Sequence, residues 1–118
     1  MEIAGKNVLL TGATVGLGRS IASNLADAGA RLILSGRSAE GLEDLAKDLP
    51  GESHSVLAAD LGEPGAAMEL VAAAGDVDVL VANAALPATG RITELTDTQV
   101  ARMLRINLEA PVLLSQAL

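Results

Sequence analysis

Three glycines stand within seven residues, Gly12, Gly16 and Gly18, between an apolar run that ends at Thr11 and an amphipathic segment that starts at Leu17. Glycine allows a tight turn and lets an anion reach backbone that a Cβ would shield. A helix that starts here offers unpaired N–H groups and the positive end of its dipole, so the chemistry this placement suits is phosphate binding. The spacing G-x-x-x-G-x-G differs from two other phosphate-binding patterns. A P-loop needs a lysine where Arg19 stands and is one residue shorter, and the common dinucleotide fingerprint is G-x-G-x-x-G. The other reading of the turn is a tight connection only. A second candidate closes the next apolar run, where SGRS places Arg37 with no carboxylate at the tip. An acid there would suit a ribose 2′-hydroxyl, whereas a guanidinium suits a 2′-phosphate. A solvated surface arginine is the alternative.

Other chemistries find little support. Cysteine is absent, which removes disulfides, thiolate nucleophiles and Cys-based metal sites. His54 is the sole histidine and sits at the start of a strand, where a structural role is expected. No cluster of His, Asp and Glu suggests a metal site. With no Phe, Tyr or Trp the usual stacking platforms for bases are missing, and fifteen acidic against eight basic residues give a net charge of −7. That charge repels nucleic acid and anionic membranes alike. The opening MEIAGK does not read as a signal peptide, and no apolar run approaches the roughly 18–20 residues of a membrane span. A cytoplasmic protein is the expectation.

The elements that must hold these residues follow from periodicity. Asn7–Thr11 reads as a strand and Leu17–Ala28 as a helix with Leu17, Ile21, Leu25 and Ala28 facing inward, ended by Gly29. Ala30–Ser35 is a second strand. Ala39–Leu49 is a second helix with Leu42, Leu45 and Leu49 inward and a Glu43–Lys47 pair outside. Ser55–Ala59 follows as a strand, Pro64 to Ala74 as a helix, and Val77–Asn83 as a fourth strand. After a longer loop a fourth helix begins at Thr96, whose spacing to Gln99 predicts a capping box. Four strands alternating with four helices predict one α/β domain over residues 1–118, a parallel sheet covered by helices on both faces. Within the fourth helix, Pro111 follows Asn107 by four residues. Proline lacks the N–H that would bond the Asn107 carbonyl, so a kink that frees this carbonyl is expected there. A kink used only for packing is the other reading.

TGATVGLG (Thr11–Gly18), ADL (Ala59–Leu61), ANAA (Ala82–Ala85) and RINL (Arg105–Leu108) stand in the order and spacing of the short-chain dehydrogenase/reductase family, which the whole chain resembles. The resemblance implies a Rossmann-type doubly wound sheet with strand order 3-2-1-4. It implies that Gly12, Thr14, Gly16, Leu17 and Gly18 line a pyrophosphate, with Val15 also among the cofactor-binding residues. Asp60 and Leu61 would flank the adenine, and Asn83, Ala84 and Ala85 would run past the ribose toward the nicotinamide. The main-chain carbonyl of Asn107 would hold a water in a proton relay. Taken as residues alone, Asp60 could equally begin a turn, and Asn83 could satisfy local backbone groups. Two positions depart from the family pattern. Ala85 replaces the usual glycine, and Val15 stands where NADP-preferring members often carry a basic residue. The expectation of NADP rather than NAD therefore rests on Arg37.

The family's hydride chemistry also needs a serine and a Tyr-x-x-x-Lys pair. Tyrosine is absent, Lys6 and Lys47 are the only lysines, and Ser115 comes too early. The chain is therefore expected to be the cofactor-binding N-terminal half of an NADP(H)-dependent oxidoreductase, truncated relative to the family and inactive alone. Its reaction would exchange hydride between nicotinamide and an alcohol/carbonyl substrate. A homo-oligomer is expected, joined through the edge of the fourth strand and the fourth helix. The alternative is a non-catalytic nucleotide-binding or assembly module complete at 118 residues. A continuation carrying Tyr-x-x-x-Lys would separate the two.

Overall fold

The computed structural model describes residues 2–86 and 90–118. Four short apolar runs pair in parallel as β1 (Asn7–Leu10), β2 (Arg31–Gly36), β3 (Ser55–Ala58) and β4 (Val79–Val81), in the order β3-β2-β1-β4. Leu9 lies opposite Ile33 on one side and Leu80 on the other. The chain builds outward from β1 through β2 to β3, then crosses back to place β4 on the far side of β1. That reversal between β1 and β4 is a topological switch point, and in open α/β sheets the crevice outside the strand C-termini at such a point is where ligands bind.

Alternation along the strands divides the core in two. Val8, Leu10, Leu32 and Leu34 point to one face, where helices α1 (Gly18–Asp27) and α2 (Ala39–Asp48) cover them with Ala22, Ala26, Leu42 and Leu45. Leu9 and Ile33 point to the other, against Leu70 of α3 (Ala66–Ala74) and Ala110 and Leu114 of α5 (Ala110–Ala117). Both faces are thus built from aliphatic side chains and alanine alone, each large aliphatic contributing roughly 1.5–3 kcal/mol. The expected inward residues of α2, Leu42, Leu45 and Leu49, are all buried.

Several expected details change. Helix α1 turns Gly18, Ala22 and Ala26 inward with Ile21 and Leu25 beside them, while Leu17 is 71% exposed and Ala28 faces solvent. The cause is Gly18, which is pressed against the backbone of Gly12 and Ala13 and so fixes which face of the helix meets the sheet. Pro64 lies outside α3, because Gly65 at the N-cap adopts a left-handed φ of 80° that delays the helix to Ala66. Strand β4 has three residues rather than seven. At its start the Asp78 carboxylate takes the Asn7 N–H (2.8 Å), and beyond its end the Asn83 N–H turns back to the Val81 carbonyl (3.1 Å).

Helix α4 (Asp97–Leu104) opens with the expected box, Thr96 Oγ1 accepting the Gln99 N–H and Gln99 Oε1 accepting the Thr96 N–H. Where a kink was expected at Asn107 the ladder forms one π turn, Arg105–Glu109, after which α5 carries Pro111 in its first turn. The Ala110 N–H reaches back five residues to Arg105. The ladder is thus widened by one residue where the proline donor is missing. Among the described residues no helix is long and apolar enough to cross a membrane.

His54 has the structural role expected of it. Leu32, fully buried in β2, donates its N–H to His54 Nδ1 (3.1 Å), and His54 Nε2 bonds the Pro50 carbonyl (2.8 Å). The imidazole thus stands in for a strand partner just before β3 begins. His54→Ala leaves the buried Leu32 N–H without an acceptor and is expected to lower unfolding stability by about 1–3 kcal/mol. Urea denaturation of both proteins at neutral pH checks this.

Candidate nucleotide-binding site

The turn after β1 is built on two close approaches. Gly12 has a φ of 63°, and a Cβ there would come within 2.8 Å of the Ala84 Cα and 2.9 Å of its N. Gly18 lies so close to the Gly12 carbonyl and Ala13 that no Cβ fits. Buried Thr11 joins the two strand ends, its Oγ1 accepting the N–H groups of Asn83 and Ala84 at 3.1 Å each. Asn83 returns a bond from Nδ2 to the Gly12 carbonyl at 3.1 Å. The turn after β1 is therefore packed backbone to backbone against the segment that follows β4.

The turn floors a cleft of about 210 Å³. Gly12, Thr14 and Val15 form its base, Arg37 and Asp60 stand on its β2–β3 side with Leu61, and Ala84 and Ala85 close the β4 side. These eight expected residues come together from four separate segments. The remaining five lie outside the lining. Gly16 and Leu17 are exposed on the turn, Gly18 is buried beneath it, Asn83 braces it, and Asn107 sits behind the cleft wall. Asn107 acts there through its side chain, with Oδ1 accepting the Leu86 N–H (2.8 Å) and Nδ2 donating to the Leu86 carbonyl (3.0 Å).

The helix termini differ in a way that bears on ligand chemistry. Helix α2 is capped by Ser38, which accepts the Gly41 N–H at 3.1 Å, and carries Glu40 in its first turn. Helix α4 has its capping box and Asp97. Helix α1, the one that opens beside the cleft, has no side-chain cap and no acid in its first turn. The Gly18 N–H is taken by the Val15 carbonyl (2.9 Å), and the rest of that first turn presents N–H groups and a positive dipole end without a side-chain cap. Arg37, exposed on the rim, makes no ion pair or hydrogen bond among the described residues.

Asp60 is held differently. Its Oδ1 accepts the Gly62 N–H (2.9 Å), and Arg102 Nη2 donates to both carboxylate oxygens at 3.1 Å. Burial acts to raise the pKa of this carboxyl. The Gly62 bond, the hydrogen bonds and charge of Arg102, and the charge of Arg37 outweigh it and hold the pKa below the ordinary 3.8. Sequence reasoning missed Thr11, Ser38, Leu86 and Arg102. Thr11 lay within a motif read for its glycines. Arg102 had no signal at all, since 42 residues separate it from Asp60.

A switch-point crevice, a glycine turn against the neighbouring strand, and an uncapped helix are the features of a Rossmann-type fold, with the crevice as its candidate ligand site. The family model described as short chain dehydrogenase matches residues 6–118, and the chain belongs to the short-chain dehydrogenase/reductase family. Two Bos taurus proteins illustrate the similarity. The chain is 41% identical to dehydrogenase/reductase SDR family member 7B, over 94% of this chain and 38% of that protein, and 34% identical to L-xylulose reductase, over 98% and 47%. Among solved structures, a 3-oxoacyl (acyl-carrier-protein) reductase from Agrobacterium tumefaciens C58 with NADP bound superposes with a TM-score of 0.87 at 33% identity, over 98% of this chain and 46% of that one. The chain spans less than half the length of each.

Because its pKa is depressed on folding, Asp60 adds stability that is fully present above the ordinary aspartate value and is lost as pH falls through the folded value. Asp60→Asn is expected to be less stable than the unmodified protein at pH 7 and to lose less stability on acidification below about pH 4. Urea midpoints across a pH series measure the difference.

Proposed function

We propose that residues 1–118 form the N-terminal, cofactor-binding Rossmann domain of an NADP(H)-dependent oxidoreductase. The observation that carries this reading is a cleft based on the Gly12–Val15 turn, which leads into the uncapped α1, with Arg37 on its rim. The NADP-bound relative supports it. In this reading the glycine turn, with Thr14, Val15 and Leu17, receives the pyrophosphate, and Arg37 takes the 2′-phosphate. Asp60 and Leu61 flank the adenine, while Asn83, Ala84 and Ala85 lead to the nicotinamide. The close approach of Gly12 to Ala84 supports the fit, since it holds the glycine turn against the end of β4 at the base of the cleft.

When bound, the nicotinamide supplies or accepts the hydride. This chain binds and orients it against an alcohol/carbonyl substrate. Asn107 serves the site twice, its side chain fixing Leu86 and its carbonyl, freed of the Pro111 donor, holding the relay water. The acid/base that the family uses lies outside these 118 residues, which contain no tyrosine. The net charge of −7 supports a small-molecule partner over nucleic acid or an anionic membrane.

Oligomer formation belongs to the same proposal. Val100, Leu104, Leu108 and Val112 recur every fourth residue along α4, the π turn and α5, and are 39–61% exposed. Strand β4 pairs only with β1 among the described residues, leaving its outer edge as a template for another strand. Exposed apolar residues at this spacing, together with a free strand edge, suit a second copy of the chain.

Two measurements test these assignments. A charge-assisted contact at Arg37 is expected to favour NADPH over NADH about ten- to a hundredfold, and Arg37→Asp to reverse or abolish that preference. Equal affinity of the unmodified protein for both nucleotides overturns the assignment. Leu104→Glu combined with Leu108→Glu is expected to convert a self-associating protein to monomer in light scattering. An unmodified protein that stays monomeric at high concentration refutes the interface.

A further inference from the structure

Asp60 and Arg37 share one cleft. An unpaired carboxylate in that position would repel an anion arriving at Arg37 and would itself compete for the guanidinium. Arg102 stands against both effects. It reaches across from α4 to grip both Asp60 oxygens at 3.1 Å, and its Nη1 lies 3.5 Å from Glu63 Oε1. The guanidinium rests directly on Gly62, where a Cβ would fall 2.5–2.6 Å from it. One turn further on, Arg105 donates to the Gly62 carbonyl at 3.0 Å, binding the same loop to the same helix. The side chains of Arg102 and Asp60 are 27% and 30% exposed, so solvent screens the pair only in part.

We propose that Arg102 is a specificity-determining residue for the phosphorylated cofactor. By neutralising Asp60 it leaves Arg37 as the uncompensated positive charge of the cleft, and so sustains the preference for NADP(H) over NAD(H) without touching the 2′-phosphate. The inference rests on the assignment of Arg37 to that phosphate. Charges on the walls of one cleft interact through partly desolvated protein, where a single unit shifts anion affinity measurably and added salt weakens the effect. The two nucleotides differ only in the phosphate, so any effect on adenine binding or on the fold cancels in the ratio of their dissociation constants. The ratio isolates the electrostatic role.

The test titrates NADPH and NADH by nicotinamide fluorescence into the unmodified protein, Arg102→Gln, Asp60→Asn, the double variant and Arg37→Asp, at low and high salt. Arg102→Gln is expected to reduce the NADPH preference about three- to tenfold at low salt and less at high salt. Asp60→Asn raises the preference, and the double variant returns near the unmodified ratio. A purely structural Arg102 would weaken both nucleotides equally, and an unchanged ratio in Arg102→Gln overturns the proposal. If that variant does not fold, Asp60→Asn decides, since an unchanged or lowered ratio there overturns it too. A preference that survives Arg37→Asp rejects the Arg37 assignment and the inference with it. A response to Arg37→Asp with none in the other variants rejects the inference alone.

Discussion

The contact on which the rest of the structure depends is backbone against backbone, Gly12 against Ala84. A left-handed φ and a separation that admits no Cβ are required together at Gly12, and only glycine meets both. From that approach follow the bonds of the Thr11 hydroxyl to Asn83 and Ala84, the seating of Gly18 on Gly12 and Ala13, and hence the direction in which α1 leaves the sheet. The cleft is what remains between strands whose ends are held in this way. Its position is a consequence of strand order, and its smooth floor a consequence of two missing side chains.

Electrostatics then distinguishes this cleft from the rest of an acidic molecule. The protein carries seven more acidic than basic residues, yet the helix that follows the cleft-lining turn has no acid in its first turn. The two helices whose N-termini are capped elsewhere carry Glu40 and Asp97 there. The carboxylate in the cleft wall, Asp60, is tied to Arg102. Helix α4 thereby does two jobs. Its Arg102 side ties down the carboxylate in the cleft wall, and its Val100–Leu104 side carries an exposed apolar surface.

The parts of this arrangement that were legible in the sequence share a physical origin, in local periodicity or local stereochemistry. Apolar runs marked the four strands, and their alternation with helices anticipated the parallel sheet. The Thr96–Gln99 spacing marked a cap, and glycines clustered where the backbone had to turn. The inward face of α1 was misjudged because hydrophobicity pointed to Leu17, whereas the face was set by what Gly18 lacks. Pro111 correctly signalled a disturbed ladder, but proline chemistry alone does not choose between a kink and a widened turn. Bonds such as Leu32 to His54 and Arg102 to Asp60 join distant segments through side chains whose spacing follows no period. They become visible only when the chain is folded.

The π turn at Arg105–Glu109 has a geometric consequence for the outer surface. Side chains spaced every four residues drift around an α-helix by about 40° per step, because 3.6 residues complete a turn. Over the twelve residues from Val100 to Val112 that drift would amount to about a third of a revolution. One underwound turn runs the other way and offsets much of it. The four apolar residues are brought back toward a single line parallel to the helix axis, a straight seam instead of a spiral. Were the same residues wound as a regular α-helix throughout, Val112 would stand about 120° around the axis from Val100. The wide turn thus acts as a phase correction, letting a helix that must accommodate a proline keep these four residues near one line.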